Sequence, residues 1–344
     1  MNLDHTHVAI IGAGEAGLTA ADALAGLGVH VSLFEKTPFL GGHAIQLNCK
    51  ATDSCVKCGA CVAEDKLLRA TRHPQVEIHT GAKIESITGG RPYQVAYRTQ
   101  AQSGRMQADA ILVATGFTPY DPSDKPYGYG RFPNVITSLD AERLLREHIV
   151  MKCPSDGRPA RRIAFIQCVG SRDARLGHPW CSKICCGSSL RMARLIQSRQ
   201  EDAQITCFYI DVQTFGKDFQ PVYRSVRDNI TMIRAIPGDI LRTETDELEV
   251  IYFDPETNAS KEVLFDIVTL SVGLIPAENN RPMAQILGWS QDENGFMPCH
   301  GSDRHPAPKG IYTAGAAMGP MTIAESVSSA EKTVYNMVRY LTAS

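Results

Sequence analysis

The chain has 344 residues, 11 of them cysteine, and a formal net charge of −2 at pH 7. That length suits two domains of ordinary size, and the balanced charge provides neither a basic field for nucleic acid nor an acidic solvating arm. Met1 runs almost directly into the apolar stretch Val8–Ile11, leaving no room for a signal peptide, and no apolar run is long enough to cross a bilayer, so a cytoplasmic protein with reduced thiols is expected.

In chain order, His7–Ile11 reads as a buried strand and Gly12-Ala13-Gly14-Glu15-Ala16-Gly17 as an intact G-x-G-x-x-G. The Ala/Leu-rich segment Leu18–Leu27 reads as the following helix and Val29–Phe34 as a second strand that ends on Glu35. Glycines of this kind admit a pyrophosphate to a helix N-terminus, and a carboxylate about twenty residues on takes the ribose hydroxyls. Because Glu35 would repel a 2′-phosphate, an unphosphorylated adenosine ribose is expected.

Four cysteines follow, Cys49, Cys55, Cys58 and Cys61, spaced C-x5-C-x2-C-x2-C. Cys58-Gly59-Ala60-Cys61 looks like part of a ferredoxin loop, and no pair has the C-x4-C spacing of pyridine-nucleotide disulfide reductases. A second metal site, a redox dithiol and a loop of free thiols all remain open, the last being the simplest.

The Pro/Asp/Gly-rich stretches Tyr120–Pro133 and Pro154–Pro159 read as a boundary. Beyond it, Ile163–Ile166, Ile205–Ile210, Leu248–Phe253 and Ile267–Ser271 read as strands of a second nucleotide-type unit. The fold expected is therefore α/β, two nested Rossmann-like domains, with residues 1–150 and 290–344 in one and residues 151–289 inserted. The turn after Ile166, Gln167-Cys168-Val169-Gly170-Ser171-Arg172, keeps one glycine and gains a cysteine. Cys181, Cys185 and Cys186 complete C-x12-C-x3-C-C. Four thiolates on one short element are the complement of a [4Fe–4S] cluster; a zinc site, whose usual spacing is paired C-x2–4-C hooks, a labile dithiol and plain buried thiols remain open. Trp180 and Pro179 would dry one side, and Arg172, Arg175 and Lys183 would offset the charge. A nicotinamide is not expected in this unit.

Three segments resemble FAD-dependent oxidoreductases: Glu35–Gly42 with its glycine pair, Leu112-Val113-Ala114-Thr115-Gly116, and Ile311–Gly315 followed by Gly319–Ser326. Ala316 stands where those proteins usually carry Asp. With Q-C-V-G-S-R opening the cysteine motif, Gly41-Gly42-His43 before it and Phe215-Gly216-Lys217 after it, the chain is similar to the FAD-carrying A subunit of heterodisulfide reductase.

The resemblance implies a thioredoxin-reductase-like architecture and an electron-transfer subunit carrying FAD and one cluster on Cys168, Cys181, Cys185 and Cys186. It implies FAD contacts from Gly12, Gly14, Ala16, Gly17, Glu35, Lys36, Gly41, Gly42, His43, Ile84, Ala114, Thr115, Gly116, Gly315, Met321, Thr322 and Ile323. Lys217 is a candidate near the flavin. The resemblance also implies a homodimer, iron–sulfur partner subunits, and the compact form found in complexes of sulfur-oxidising microbes, since the chain stops without ferredoxin modules. The alternative is a self-contained pyridine-nucleotide/disulfide oxidoreductase with a dithiol among Cys49–Cys61.

Overall fold

The computed structural model describes residues 3–216, 219–299 and 308–343. It divides into two compact units: Met1–Ile45, Gly59–Thr118 and Ile275–Ser344 form the first, Gln46–Cys58 and Pro119–Leu274 the second. Helices among the described residues are α1 (Glu15–Ala25), α2 (Ala60–Arg72), α3 (Ser138–Glu147), α4 (Cys185–Arg199), α5 (Phe219–Arg227), α6 (Asn280–Leu287) and α7 (Ile323–Thr342).

The first unit is built on a parallel sheet whose strands lie in the order Ile311–Thr313, Ala110–Val113, His7–Ile11, His30–Phe34, Val76–His79. Side chains alternate across a strand, so a sheet covered on both faces needs apolar residues at every position. His7–Ile11 meets that demand. Val8 and Ile10 enter a core with Leu18, Leu24 and Met337 of α1 and α7, while Ala9 and Ile11 enter another with Phe34, Tyr97 and Trp289. The second core is closed by an antiparallel meander, Lys83–Gly89, Tyr93–Arg98 and Ser103–Ala108.

The second unit repeats this plan. Its parallel strands lie in the order Thr231–Ile233, Gln204–Phe208, Arg162–Val169, Ile267–Val272, Val135–Thr137. Ile163 and Phe165 face α4 through Leu190, Ala193 and Ile196; Ala164 and Ile166 face Tyr252 and Phe265 of a second antiparallel sheet. That sheet comprises Asp239–Arg242, Leu248–Asp254 and Ala259–Phe265.

Three expectations are corrected. Leu248–Phe253 is a strand, but it belongs to the antiparallel sheet, and its place in the parallel one is taken by Val135–Thr137 and Thr231–Ile233. The unit boundaries fall at 118/119 and 274/275 instead of 150/151 and 289/290. The cause is pairing: Val135 lies in parallel register with Val268, so the chain has entered the second unit before α3, which starts on a capping box between Thr137 and Asp140. On the way out, Met283, Ala284 and Leu287 of α6 bury in the first unit's core.

The cysteine-bearing segment Gln46–Cys58 also packs with the second unit, which hydropathy did not foretell. Val56 joins its core at 2% exposure. Lys50, equally buried, holds Glu142 of α3 across 2.6 Å, and the other Glu142 oxygen accepts the Asn48 amide at 2.9 Å. A buried ion pair with one partner removed leaves an uncompensated charge, at a cost of about 3–5 kcal/mol, whereas an apolar replacement of both is near neutral. Lys50→Met is therefore expected to lower the denaturant midpoint of the second unit's unfolding by that equivalent, and Lys50→Met with Glu142→Leu to recover most of it, both read by urea titration.

Candidate cofactor and sulfur sites

In the first unit the glycine positions converge on the carboxyl ends of the central strands. Gly12, at φ +108, could take no side chain, since a Cβ would stand 2.2 Å from the Ala114 carbonyl oxygen; at Gly17 it would stand 1.9 Å from the Gly12 oxygen. These two glycines permit close backbone packing. Gly14 differs: a Cβ there would meet nothing within 4 Å, and as N-cap of α1 it supplies no side-chain hydrogen bond to the helix's first amides. An open space at an uncapped helix N-terminus suits a diphosphate.

Glu35 closes one side. Its carboxylate accepts the Ala13 amide at 3.0 Å and the Thr37 amide and hydroxyl at 2.9 and 3.0 Å, which fixes its orientation while leaving acceptor capacity for ribose hydroxyls. Lys36 beside it is exposed. The Gly41 amide donates to the Ala13 carbonyl at 2.8 Å, and a Cβ on Gly42 would lie 3.1 Å from Gly14 Cα. His43 stacks its ring at 4.7 Å on Phe117, and burial lowers its pKa.

From the neighbouring strand the Ala114 amide bonds the Ile11 carbonyl, Gly116 takes φ +71, and the Thr115 hydroxyl donates to Asn280 Oδ1 at 2.8 Å. Gly315, at φ +69, faces Ala16, where a Cβ would meet the alanine's Cβ at 2.5 Å. Met321, Thr322 and Ile323 enter α7, which starts on a capping box between Thr322 and Glu325. That box leaves the Ile323 and Ala324 amides outside it. Ile84 is buried in the core beneath the meander, two residues after Ala82, whose amide donates to the Glu35 carbonyl at 2.8 Å. Lys217 lies outside the described residues.

Sequence reasoning missed two polar side chains here. Asn280 is fully buried against Thr115; no spacing marks it. Glu15, in the first turn of α1, is forced by burial to a pKa of about 7. Its position inside the fingerprint was visible, but its surroundings were not.

In the second unit the turn after Arg162–Val169 has been rebuilt around sulfur. Cys168 and Arg172 adopt left-handed φ values of 60 and 56. Gly170 is covered by Tyr120, whose ring would lie 2.1 Å from an added Cβ. The ring fills space above the turn, and Cys185 and Cys186 occupy the first turn of α4 that a phosphate would otherwise approach.

Three of the four thiols are shifted by burial and by neighbouring thiols. Burial pushes Cys168 up to about 11, with Cys186 and Cys181 adding to the rise and Arg172 opposing it. Burial also raises Cys185, which feels Cys168, Cys186 and Cys181, and raises Cys186 against an opposing hydrogen bond from the Gln213 backbone. The Lys183 amide donates to Cys181 Sγ at 3.3 Å. Among the described residues no three His, Cys, Asp or Glu side chains stand in a metal-ligating group. Cys185 Sγ lies 3.9 Å from the Val272 carbonyl and Cys186 Sγ 3.8 Å from the Asp211 carbonyl. Four cysteine thiols are a donor set of the kind a thiophilic metal centre uses.

The flanking residues are only partly as expected. Trp180 Nε1 donates to the Leu274 carbonyl at 2.9 Å, and Arg172 makes a two-pronged pair with Asp211 at 2.5 and 3.0 Å. Arg172 holds the Asp211 carboxyl below its usual range. Lys183 lies over the Phe215 ring at 5.6 Å, and Arg175 is 92% exposed beside Asp173.

Residues 6–152 match the family described as pyridine nucleotide-disulphide oxidoreductase. Across 93% of its length the chain is 28% identical to the A subunit of the H(2):CoB-CoM heterodisulfide,ferredoxin reductase of Methanothermobacter thermautotrophicus. Over the same share it is 29% identical to an iron–sulfur A subunit of the CoB–CoM heterodisulfide reductase of Methanopyrus kandleri. It spans 62% of the length of each. Over 65% of the chain, identity rises to 33% with the A subunit of the ferredoxin:CoB-CoM heterodisulfide reductase of Methanosarcina acetivorans, of which 32% is covered. Among solved structures, the thioredoxin reductase of Lactococcus lactis superposes with a TM-score of 0.65 at 17% identity, covering 98% of this chain and 99% of that one. That of T. acidophilum gives 0.62 at 19%, covering 96% and 97%. The fold is that of thioredoxin reductase, and over most of its length the chain is similar to heterodisulfide reductase A subunits.

Proposed function

We infer that this protein is an FAD-dependent electron-transfer subunit that holds one [4Fe–4S] cluster and works with partner subunits of a heterodisulfide-reductase-type complex. The observation that carries the reading is the pairing of an open glycine cradle in one unit with a group of cysteines in the other, Cys168, Cys185 and Cys186 each raised first by burial and then by neighbouring thiols, at the turn where a nicotinamide domain would take its phosphates. The relatives' names support the iron–sulfur and complex-forming parts.

Bound FAD supplies exchange of one or two electrons, and a cluster supplies single-electron exchange. The chain's own residues do the rest. The first-turn amides of α1 would take the diphosphate at Gly14, and Glu35, oriented by Ala13 and Thr37, would accept the ribose hydroxyls. The α7 amides of Ile323 and Ala324, outside the capping box, would face the flavin's electron-poor edge. Cys168, Cys181, Cys185 and Cys186 would hold the iron, with the Lys183 and Gln213 amides and Arg172 offsetting sulfur charge. No helix among the described residues is long and apolar enough to cross a membrane. Family likeness extends the proposal to a cytoplasmic homodimer serving sulfur oxidation.

Two outcomes test it on anaerobically purified full chain. Cys185→Ala is expected to lose iron and keep FAD at wild-type stoichiometry; unchanged iron would refute the cluster assignment. Gly14→Val adds a side chain to open space, at a backbone angle valine tolerates, so the fold should persist with its iron while FAD falls to below about a tenth of wild type. Full flavin retention in Gly14→Val would refute the cradle.

A further inference from the structure

In the first unit an acidic side chain stands beside the place a diphosphate would take. Glu15 is the first residue of α1, directly after the uncapped Gly14, and it is 9% exposed. Its Oε1 is buried and has no hydrogen-bond partner. A glutamate in a first helical turn is ordinarily favoured as a carboxylate, because the helix N-terminus carries partial positive charge. Burial acts the other way here and raises its pKa to about 7.

Its placement follows from the packing of three helices. Glu15 and Asp22, seven residues apart, share one stripe of α1, and Asp22 meets Lys66 of α2 at 3.6 Å, so that stripe faces α2. Helical side chains lean toward their own N-terminus, which carries a residue at the first position over the open end of α1. The start of α2 lies against that of α7, since a Cβ on Gly59 would stand 3.0 Å from the Ile323 side chain. Among the described residues, Lys66 is the one charge that reaches Glu15, and it is shared with Asp22. The other ionisable groups on the elements around α1 are engaged or turned outward. Glu35 is bound by the Ala13 and Thr37 amides, Glu325 closes the α7 capping box, and His30, Glu77 and His79 act on His7. Glu64, Asp65, Arg69 and Arg72 of α2 and Glu331 and Lys332 of α7 are exposed.

We propose that Glu15 is a proton-holding contact of the FAD site: its carboxylic acid accepts the flavin nucleotide's diphosphate beside it, its carboxylate repels that diphosphate, and binding therefore draws a proton from solvent. The proposal rests on the FAD reading above and adds a pH dependence that a cradle of glycines alone lacks. A carboxylic acid has an O–H to donate to a phosphate oxygen, whereas a carboxylate has only acceptors. With a folded value of about 7 the group is mostly acid below neutrality and mostly carboxylate above it. The negative diphosphate, once bound, moves that value higher still. Affinity for FAD is then full at low pH and declines as pH rises through the value of the free site. The proton returns to solvent when FAD leaves, and no covalent bond is made or broken.

The test titrates anaerobically prepared, deflavinated full chain with FAD and reads the quenching of flavin fluorescence. Between about pH 6.5 and about pH 8.5 the wild-type Kd should rise about tenfold, and that of Glu15→Gln, neutral at every pH, should change by less than about twofold. His43, held below its usual value by burial, adds no opposing titration in that window. Calorimetry in two buffers of different ionisation enthalpy should find about half a proton or more taken up per FAD near pH 7.5 in wild type, and none in Glu15→Gln. The wild-type half of that measurement needs no variant to fold. A wild-type affinity that is flat across the window, or a slope that persists in Glu15→Gln, would overturn the proposal. FAD bound without proton uptake removes Glu15 and leaves the cradle standing, whereas no FAD bound at either pH removes both.

Discussion

Tyr120 against Gly170 is the contact on which the second unit's character depends. In a nucleotide-binding turn the lack of a Cβ leaves room for a phosphate. Here the same missing Cβ admits a tyrosine ring, because any side chain at residue 170 would collide with it at about 2.1 Å. With the entrance filled from above and two cysteines buried at the start of α4, the helix N-terminus offers its amides to sulfur.

Burial then sets the chemistry. A thiol removed from water resists ionisation, and Cys168, Cys185 and Cys186 are all driven upward by desolvation first and by neighbouring thiols after it. A neutral thiol is a poor nucleophile. Cys55 is exposed and Cys58 half-buried, and a guanidinium is tied to the stretch between them. Two sulfur environments thus meet on one helix, Cys185 and Cys186 at the start of α4 and Arg191 about one and a half turns along it.

The two units repeat one plan, a parallel sheet with helices on one face and an antiparallel sheet on the other. They differ in what stands at the carboxyl ends of their strands. In the first, Gly14 leaves open space and Glu35 is oriented by backbone amides; in the second, the equivalent volume is taken by an aromatic ring and thiols. One architecture accommodates either because its stability comes from the alternating apolar faces below, which are indifferent to what the loops above carry.

Much of the first unit could be read directly. The fingerprint, the Glu at the end of the second strand and the closing helix are local patterns, and local geometry enforces them wherever the chain goes. Leu248–Phe253 was legible as a strand, but its sheet was not, since hydropathy marks which residues are buried and says nothing of the partner. The nested α/β plan and the cysteine spacing were thus determined by sequence alone. The docking of Gln46–Cys58 on the second unit, the ring over Gly170 and the guanidinium beside Cys55 were decided by tertiary structure, because each joins residues tens of positions apart through a contact that neither partner's neighbours encode.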